Sequence, residues 1–175
     1  MNLTHRICPY LLAALAATVA TACAAGEKGV ISGQTGDPII SLSEGPCPGT
    51  CPVYDMTLHP DGAYILNSVK FVKGTGVSDG KLSPDAYAKA EKALNDAGFW
   101  GLEPKQTPET LSTCVSDAPT AKVTWRTDEG KEKTLEYNAG CGVEAMQELV
   151  GRLREALSFN DLVWTDEKFD PSGNR

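Results

Sequence analysis

Four cysteines constrain most strongly what the central part of this chain can fold into: Cys47, Cys51, Cys114 and Cys141 form an even set in about a hundred residues. In an oxidising compartment such a set is a disulfide framework with three possible pairings. A hairpin turning near Gly130 has strands that diverge from that turn, with Cys114 just before one and Cys141 just after the other, so it brings these two together. Pro48-Gly49 suits the central positions of a type II turn, which returns Cys51 to within bonding reach of Cys47. The favoured set is therefore 47–51 with 114–141.

Whether these thiols oxidise depends on where the chain travels. Arg6 supplies a positive start, Ile7 to Ala20 is almost wholly apolar and Ala-rich, and the small residues Thr21 and Ala22 follow. Residues 1–22 read as a secretory signal peptide; the apolar run is too short for a spanning helix. Ala20-Thr21-Ala22-Cys23 resembles the lipobox of bacterial lipoproteins, with Ala20 where Leu is preferred. That resemblance implies cleavage before Cys23 and its lipidation, so that several acyl chains anchor the protein to a membrane. Ala24 stands where inner-membrane retention in enteric bacteria favours Asp, which points to the outer membrane, facing the periplasm. Cys8 falls within the removed segment.

The full chain has 175 residues and a formal net charge of −7. Residues 1–22 carry Arg6 and no acid, so their removal takes the charge to −8. An acidic surface repels phosphate backbones, and neither a Lys/Arg cluster nor interleaved aromatics appear, which excludes a nucleic-acid groove. The partners expected are the membrane, through the N-terminal lipid, and an envelope protein, a glycan or a small ligand.

Residues 23–37 are small, polar and Gly-rich, and read as anchor and flexible tether. A single domain is expected over 38–165, with a frayed tail over 166–175. Within it, 38–42 is a short β-branched run, and 52–58 sets Tyr54, Met56 and Leu58 against Val53, Asp55 and Thr57, the alternation of a half-buried strand. Pro60-Asp61-Gly62 turns the chain. Residues 63–67 and 69–73 complete a meander, and 74–80 reads as a flexible crossing. Ser83 and Pro84 predict a helix start; Ala86, Tyr87, Ala90, Ala93, Leu94 and Ala97 form its apolar stripe, and Gly98 ends it. A loop over 101–119 leads to a hairpin of 120–127 and 132–138. A last helix over 143–157 carries Val143, Met146, Leu149, Val150, Leu153 and Leu157 at core-facing spacing, and Leu162, Val163 and Trp164 dock as a closing segment. Strands grouped and then interleaved with two helices, without a βαβ rhythm, predict an α+β fold: an antiparallel β-sheet with two α-helices packed on one face.

The segment Cys47-Pro48-Gly49-Thr50-Cys51-Pro52-Val53-Tyr54, followed by a strand and Asp61-Gly62, resembles an uncharacterised bacterial family of secreted or lipid-anchored proteins, a domain of unknown function with a Cys-x-Gly-x-Cys-Pro-x-Tyr signature ahead of a β-hairpin. Pro48 departs from the bulky residue usual there, and Asn67-Ser68 from the commoner Tyr and Gly. The resemblance implies location and architecture and carries no catalytic residue. Cys-x-x-x-Cys-Pro also resembles the Cu(I) site of Sco-type copper-delivery proteins, which implies Cys47, Cys51 and His59 as an alternative metal or redox set. Sco-type proteins place their His much further along, and Glu44 and Asp55, not a cation or helix start, flank the pair, which argues against an activated thiol.

Hydrolytic triads need a His, and His59 is the only one left after residue 22. Neither a Gly-x-Ser-x-Gly elbow nor a His-Glu-x-x-His helix is present, and Gly74-Thr75-Gly76 lacks the third Gly of a phosphate-binding loop. Carboxylates such as Asp117, Asp128 and Glu129 have no spacing that converges them in a cleft. No catalytic residue and no cofactor is expected. The sequence reads as a non-catalytic cell-envelope lipoprotein, a binding or structural module.

Overall fold

The computed structural model describes residues 36–115 and 117–165. The expected signal peptide, Cys23, all but the last two residues of the expected tether, and the expected tail lie outside the described residues.

Strands β1 (Ile39–Glu44), β2 (Val53–Leu58), β3 (Ala63–Lys70) and β4 (Gly76–Lys81) precede helix α1 (Ala86–Asp96). They are followed by β5 (Lys105–Gln106), β6 (Thr120–Arg126), β7 (Glu132–Asn138), α2 (Glu144–Ala156) and α3 (Phe159–Leu162), with single 3-10 turns at Phe99–Gly101 and Ala139–Cys141. The strands form one seven-stranded sheet in the order β4-β3-β2-β1-β6-β7-β5. β1 pairs antiparallel with both β2 and β6, so Ile40 stands between Leu58 and Trp125, and Leu42 between Met56 and Val123. Alternation puts these residues on one face, where they form a single buried cluster with Ala90 and Leu94 of α1 and Met146, Leu149 and Leu153 of α2. Each such aliphatic side chain contributes about 1.5–3 kcal/mol on leaving water. Ser41, Thr57 and Thr124 alternate onto the opposite face.

The fold is α+β, as the element pattern predicts, and three of its details differ. The sheet is mixed: β5 lies parallel to β7, where a loop over 101–119 was expected. Two residues are too short to carry an alternation signal; the pairing rests on the backbone, with Glu136 N donating to Pro104 O at 2.8 Å. Residues 76–81 are a strand rather than a flexible crossing, and β3 runs unbroken through 68, where two strands were expected. Val69 has no partner between Val53↔Lys70 and Tyr54↔Ser68, a bulge that bends β3 without ending it. β4 escapes the alternation rule because its residues are largely exposed and its Gly80 is demanded by a neighbour: a Cβ there would stand 2.8 Å from the Tyr64 hydroxyl oxygen, whose ring lies across it. Among the described residues there are three helices where two were expected. α3 shares only Leu162 with the expected closing segment; Phe159 within the helix and Val163 just after it are buried, whereas Trp164 is exposed rather than docked.

Ends of elements follow local chemistry. α1 begins at Ala86, two residues after Pro84, and the Ser83 hydroxyl donates to the Asp85 carboxylate rather than capping a backbone N–H. Gly98 takes φ 63°, the left-handed helix stop its position predicts. Behind that stop, Lys133 Nζ donates to three carbonyl oxygens, those of Phe99, Trp100 and Leu102, tying the chain after α1 to β7.

Candidate functional site

The segment that the sequence singles out lies at one end of β1 and β2. Cys47 and Cys51 form a disulfide with Cα atoms 5.7 Å apart. The turn that achieves this is tighter than a type II turn: Gly49 N donates to Cys47 O at 2.7 Å, a three-residue turn centred on Pro48. Gly49 also lacks the positive φ that the third residue of a type II turn requires. The short bridge thus fixes the path from β1 into β2.

Three residues before Cys47, Glu44 falls in register with Ile40 and Leu42 and so points into the protein, with 6% of its surface exposed. A carboxylate there is costly unless each oxygen is paired. Arg154 of α2 supplies the pairing: its Nε donates to Oε2 at 2.8 Å and its Nη2 to Oε1. Tyr54 of β2 adds its hydroxyl, donating to Oε2 at 2.6 Å. The Tyr54 ring packs against Phe159 at 5.5 Å between centroids, and the Arg154 guanidinium lies 5.1 Å from the Phe159 ring. Helix α2, strands β1 and β2 and helix α3 therefore meet in one charge-assisted cluster. A cavity of about 470 Å³ opens beside it, lined in part by Arg154, Ser158 and Phe159.

Burial first, then the negative charge of Glu44 and its hydrogen bond, hold the Tyr54 phenol far above the ordinary tyrosine range. Burial opposes the charge on Arg154, but the hydrogen bond and charge of Glu44 outweigh it, leaving the guanidinium above its usual value. Both Glu44 oxygens are engaged by donors of the protein itself, so the cluster serves as a structural tie. Because the folded state raises the pKa of Tyr54 above its unfolded value of 10.0, its contribution to stability is complete below pH 10 and declines as pH rises beyond it. By pH 11 the loss from this residue reaches about 1.4 kcal/mol. Urea midpoints measured between pH 8 and 11 should fall accordingly, and Tyr54→Phe should flatten that fall. A wild-type slope unchanged by the substitution would contradict the assignment.

The other sequence-derived residues are distributed over the sheet. Cys114 and Cys141 form the second disulfide, joining the loop before β6 to the 3-10 turn after β7. His59 follows β2 whereas Cys51 precedes it, and six strand residues plus their flanks separate them by about 25 Å of extended chain. The alternative set of Cys47, Cys51 and His59 is thus not brought together, and both thiols of the pair are bonded to each other. Among the described residues, no three His, Cys, Asp or Glu side chains are grouped to hold a metal ion. Sequence reasoning missed Arg154 and the role of Glu44. The signal available was the inward phase of Glu44 after Ile40 and Leu42; its partner lies 110 residues away and left no local trace.

Among the described residues, no helix is long and apolar enough to cross a membrane. No curated protein matches the chain. The family described as "Domain of unknown function (DUF6438)" matches residues 38–157, from the start of β1 to the end of α2, and the chain belongs to that family.

Proposed function

We propose that this protein is a non-catalytic lipoprotein of the cell envelope, held to the membrane by acyl chains on Cys23, with residues 38–165 acting as a binding or structural module in the periplasm. The observation that carries this reading is the pair of disulfides, 47–51 and 114–141. Doubly bridged small domains belong to oxidising compartments, and the apolar run ending in Ala20-Thr21-Ala22-Cys23 supplies the route and the anchor. The Glu44–Arg154–Tyr54 cluster fits a structural role, since its ionisable groups are committed to one another.

Mass spectrometry of the protein taken from its host membrane, alkylated without reduction, tests the reading. The expected spectrum has a mature N-terminus at Cys23 carrying acyl chains, and peptides in which Cys47, Cys51, Cys114 and Cys141 all resist alkylation. An intact N-terminus with unmodified Cys23, or free thiols at Cys47 and Cys51, would overturn it.

A further inference from the structure

The cavity of about 470 Å³ beside Arg154 is within the size range of small-molecule sites. Gly151, Arg154, Glu155 and Ser158 line it at the three-and-four spacing of one helix face, and Asn160 and Asp161 of α3 complete the lining.

Two of these positions hold residues that stability alone would not choose. Gly151 lies inside α2, where glycine weakens a helix relative to alanine. No neighbour demands it, because a Cβ built there meets nothing within 4 Å. Ser158 shows the reverse. At φ 53°, just past the C-cap residue Leu157, it occupies the left-handed position that glycine fills without strain. Its hydroxyl makes no capping hydrogen bond to α3. A bare helix position and a strained serine thus border the same space, and local departures of this kind gather where room and a polar group serve a ligand.

The polar groups set the class of that ligand. Glu44 accepts from Nε and Nη2 of Arg154 and so holds the guanidinium in place, whereas Nη1 makes no hydrogen bond among the described residues. Arg154 and the Asn160 amide therefore offer donors, the Glu155 and Asp161 carboxylates offer acceptors, and Ser158 offers both. An anion would meet two carboxylates, and an ammonium group would meet guanidinium N–H. Charge is close to balance, since Glu44 neutralises Arg154 and Lys73 Nζ donates to the Asp161 carbonyl oxygen at 2.8 Å. Hydroxyl groups, which donate and accept at once, match this mixture, and a neutral sugar carries several of them on one rigid ring.

We propose that this cavity is a binding site for a neutral sugar, whose hydroxyls bond Arg154 Nη1, Ser158 Oγ and the carboxylates of Glu155 and Asp161. The proposal rests on the reading of the domain as a binding module and deepens it by naming the site and the ligand class.

Glucose, galactose, mannose and N-acetylglucosamine, each alone, are titrated into the full chain with both disulfides intact and followed by amide chemical shifts. Inorganic phosphate and ethanolamine serve as the charged counterparts. At least one sugar should bind saturably, with shifts centred on 151–161, and more tightly than either charged probe. Ser158→Gly should weaken that binding about 5-fold, the worth of one hydrogen bond, while raising the urea midpoint. Gly151→Ala should also raise the midpoint, and Gly151→Leu, which fills the cavity with a better helix former, should abolish sugar binding without lowering it. No saturable sugar binding, shifts centred elsewhere, tighter binding of phosphate or ethanolamine, sugar binding indifferent to Gly151→Leu, or lowered midpoints for Gly151→Ala and Ser158→Gly would each overturn the site while leaving the envelope reading intact. Free thiols in the envelope-derived protein would instead overturn the reading on which the site rests.

Discussion

Replacing Cys114 and Cys141 together by Ser should lower the unfolding free energy by about 3.5 kcal/mol, against about 2 kcal/mol for the same replacement of Cys47 and Cys51. The difference follows from loop length. One bridge spans a sequence separation of 27 and the other a separation of 4, so the first removes far more freedom from the unfolded chain. The longer bridge also pins the loop from 107 to 119, which crosses from the two-residue β5 to β6, beside the hydrogen bonds that Val115 N donates to Gly140 O and Ala139 N to Pro119 O. Urea denaturation of both double-Ser variants, with the other bridge intact, measures the two effects. Paired substitution avoids leaving a free thiol, and a loss for the shorter bridge equal to or above that for the longer one would refute the ranking. For a domain of this size the larger effect is a substantial part of total stability, which is usually 5–15 kcal/mol.

Arg154→Ala should cost about 2–3 kcal/mol. Glu44 keeps 6% of its surface exposed, so removal of its partner leaves a buried, under-compensated carboxylate. A fully buried pair would lose about 3–5 kcal/mol; here 41% of the Arg154 side chain is exposed, and water reaching that side softens the loss. The same argument gives the opposite expectation for the double variant Glu44→Leu with Arg154→Met. Both charges then leave together, two apolar side chains of similar volume take their place, and stability should return to within about 1 kcal/mol of the parent protein. Tyr54 would lose its acceptor in that variant and, with it, part of the alkaline sensitivity. Thermal or urea midpoints of Glu44→Leu, of Arg154→Met and of the double variant form a cycle that isolates the coupling. A double variant as unstable as the sum of the singles would show that Glu44 and Arg154 act independently.

The two disulfide pairs were accessible from sequence for different reasons. Cys114 and Cys141 flank a hairpin whose strands and turn are written in local pattern, with Val123 and Trp125 alternating against Lys122 and Thr124 and with Gly130 at φ 78° in the turn. Cys47 and Cys51 are close enough in sequence that almost any turn joins them, which is why the pairing was predictable and the turn type was not. The burial of Gln106 in β5 had no sequence signal, because a glutamine in a loop-like stretch reads as solvent-exposed until the strand that buries it is seen.

Local periodicity carried β1, β2, the β6–β7 hairpin and both long helices, because each repeats its apolar residues at the interval its own backbone geometry imposes. Signals within a few residues also set the helix stop at Gly98. Folding in three dimensions determined the rest. β4 and β5 exist because β3 and β7 offer unpaired backbone groups at the two edges of the sheet, a cause that side-chain patterns do not record. Glu44 became the centre of a buried cluster because the pairing of β1 with β2 places Tyr54 opposite it, while the packing of α2 delivers Arg154 from 110 positions away. Single strands and helices advertise themselves along the chain; edges, buried charges and cavities belong to surfaces that form only when distant segments meet.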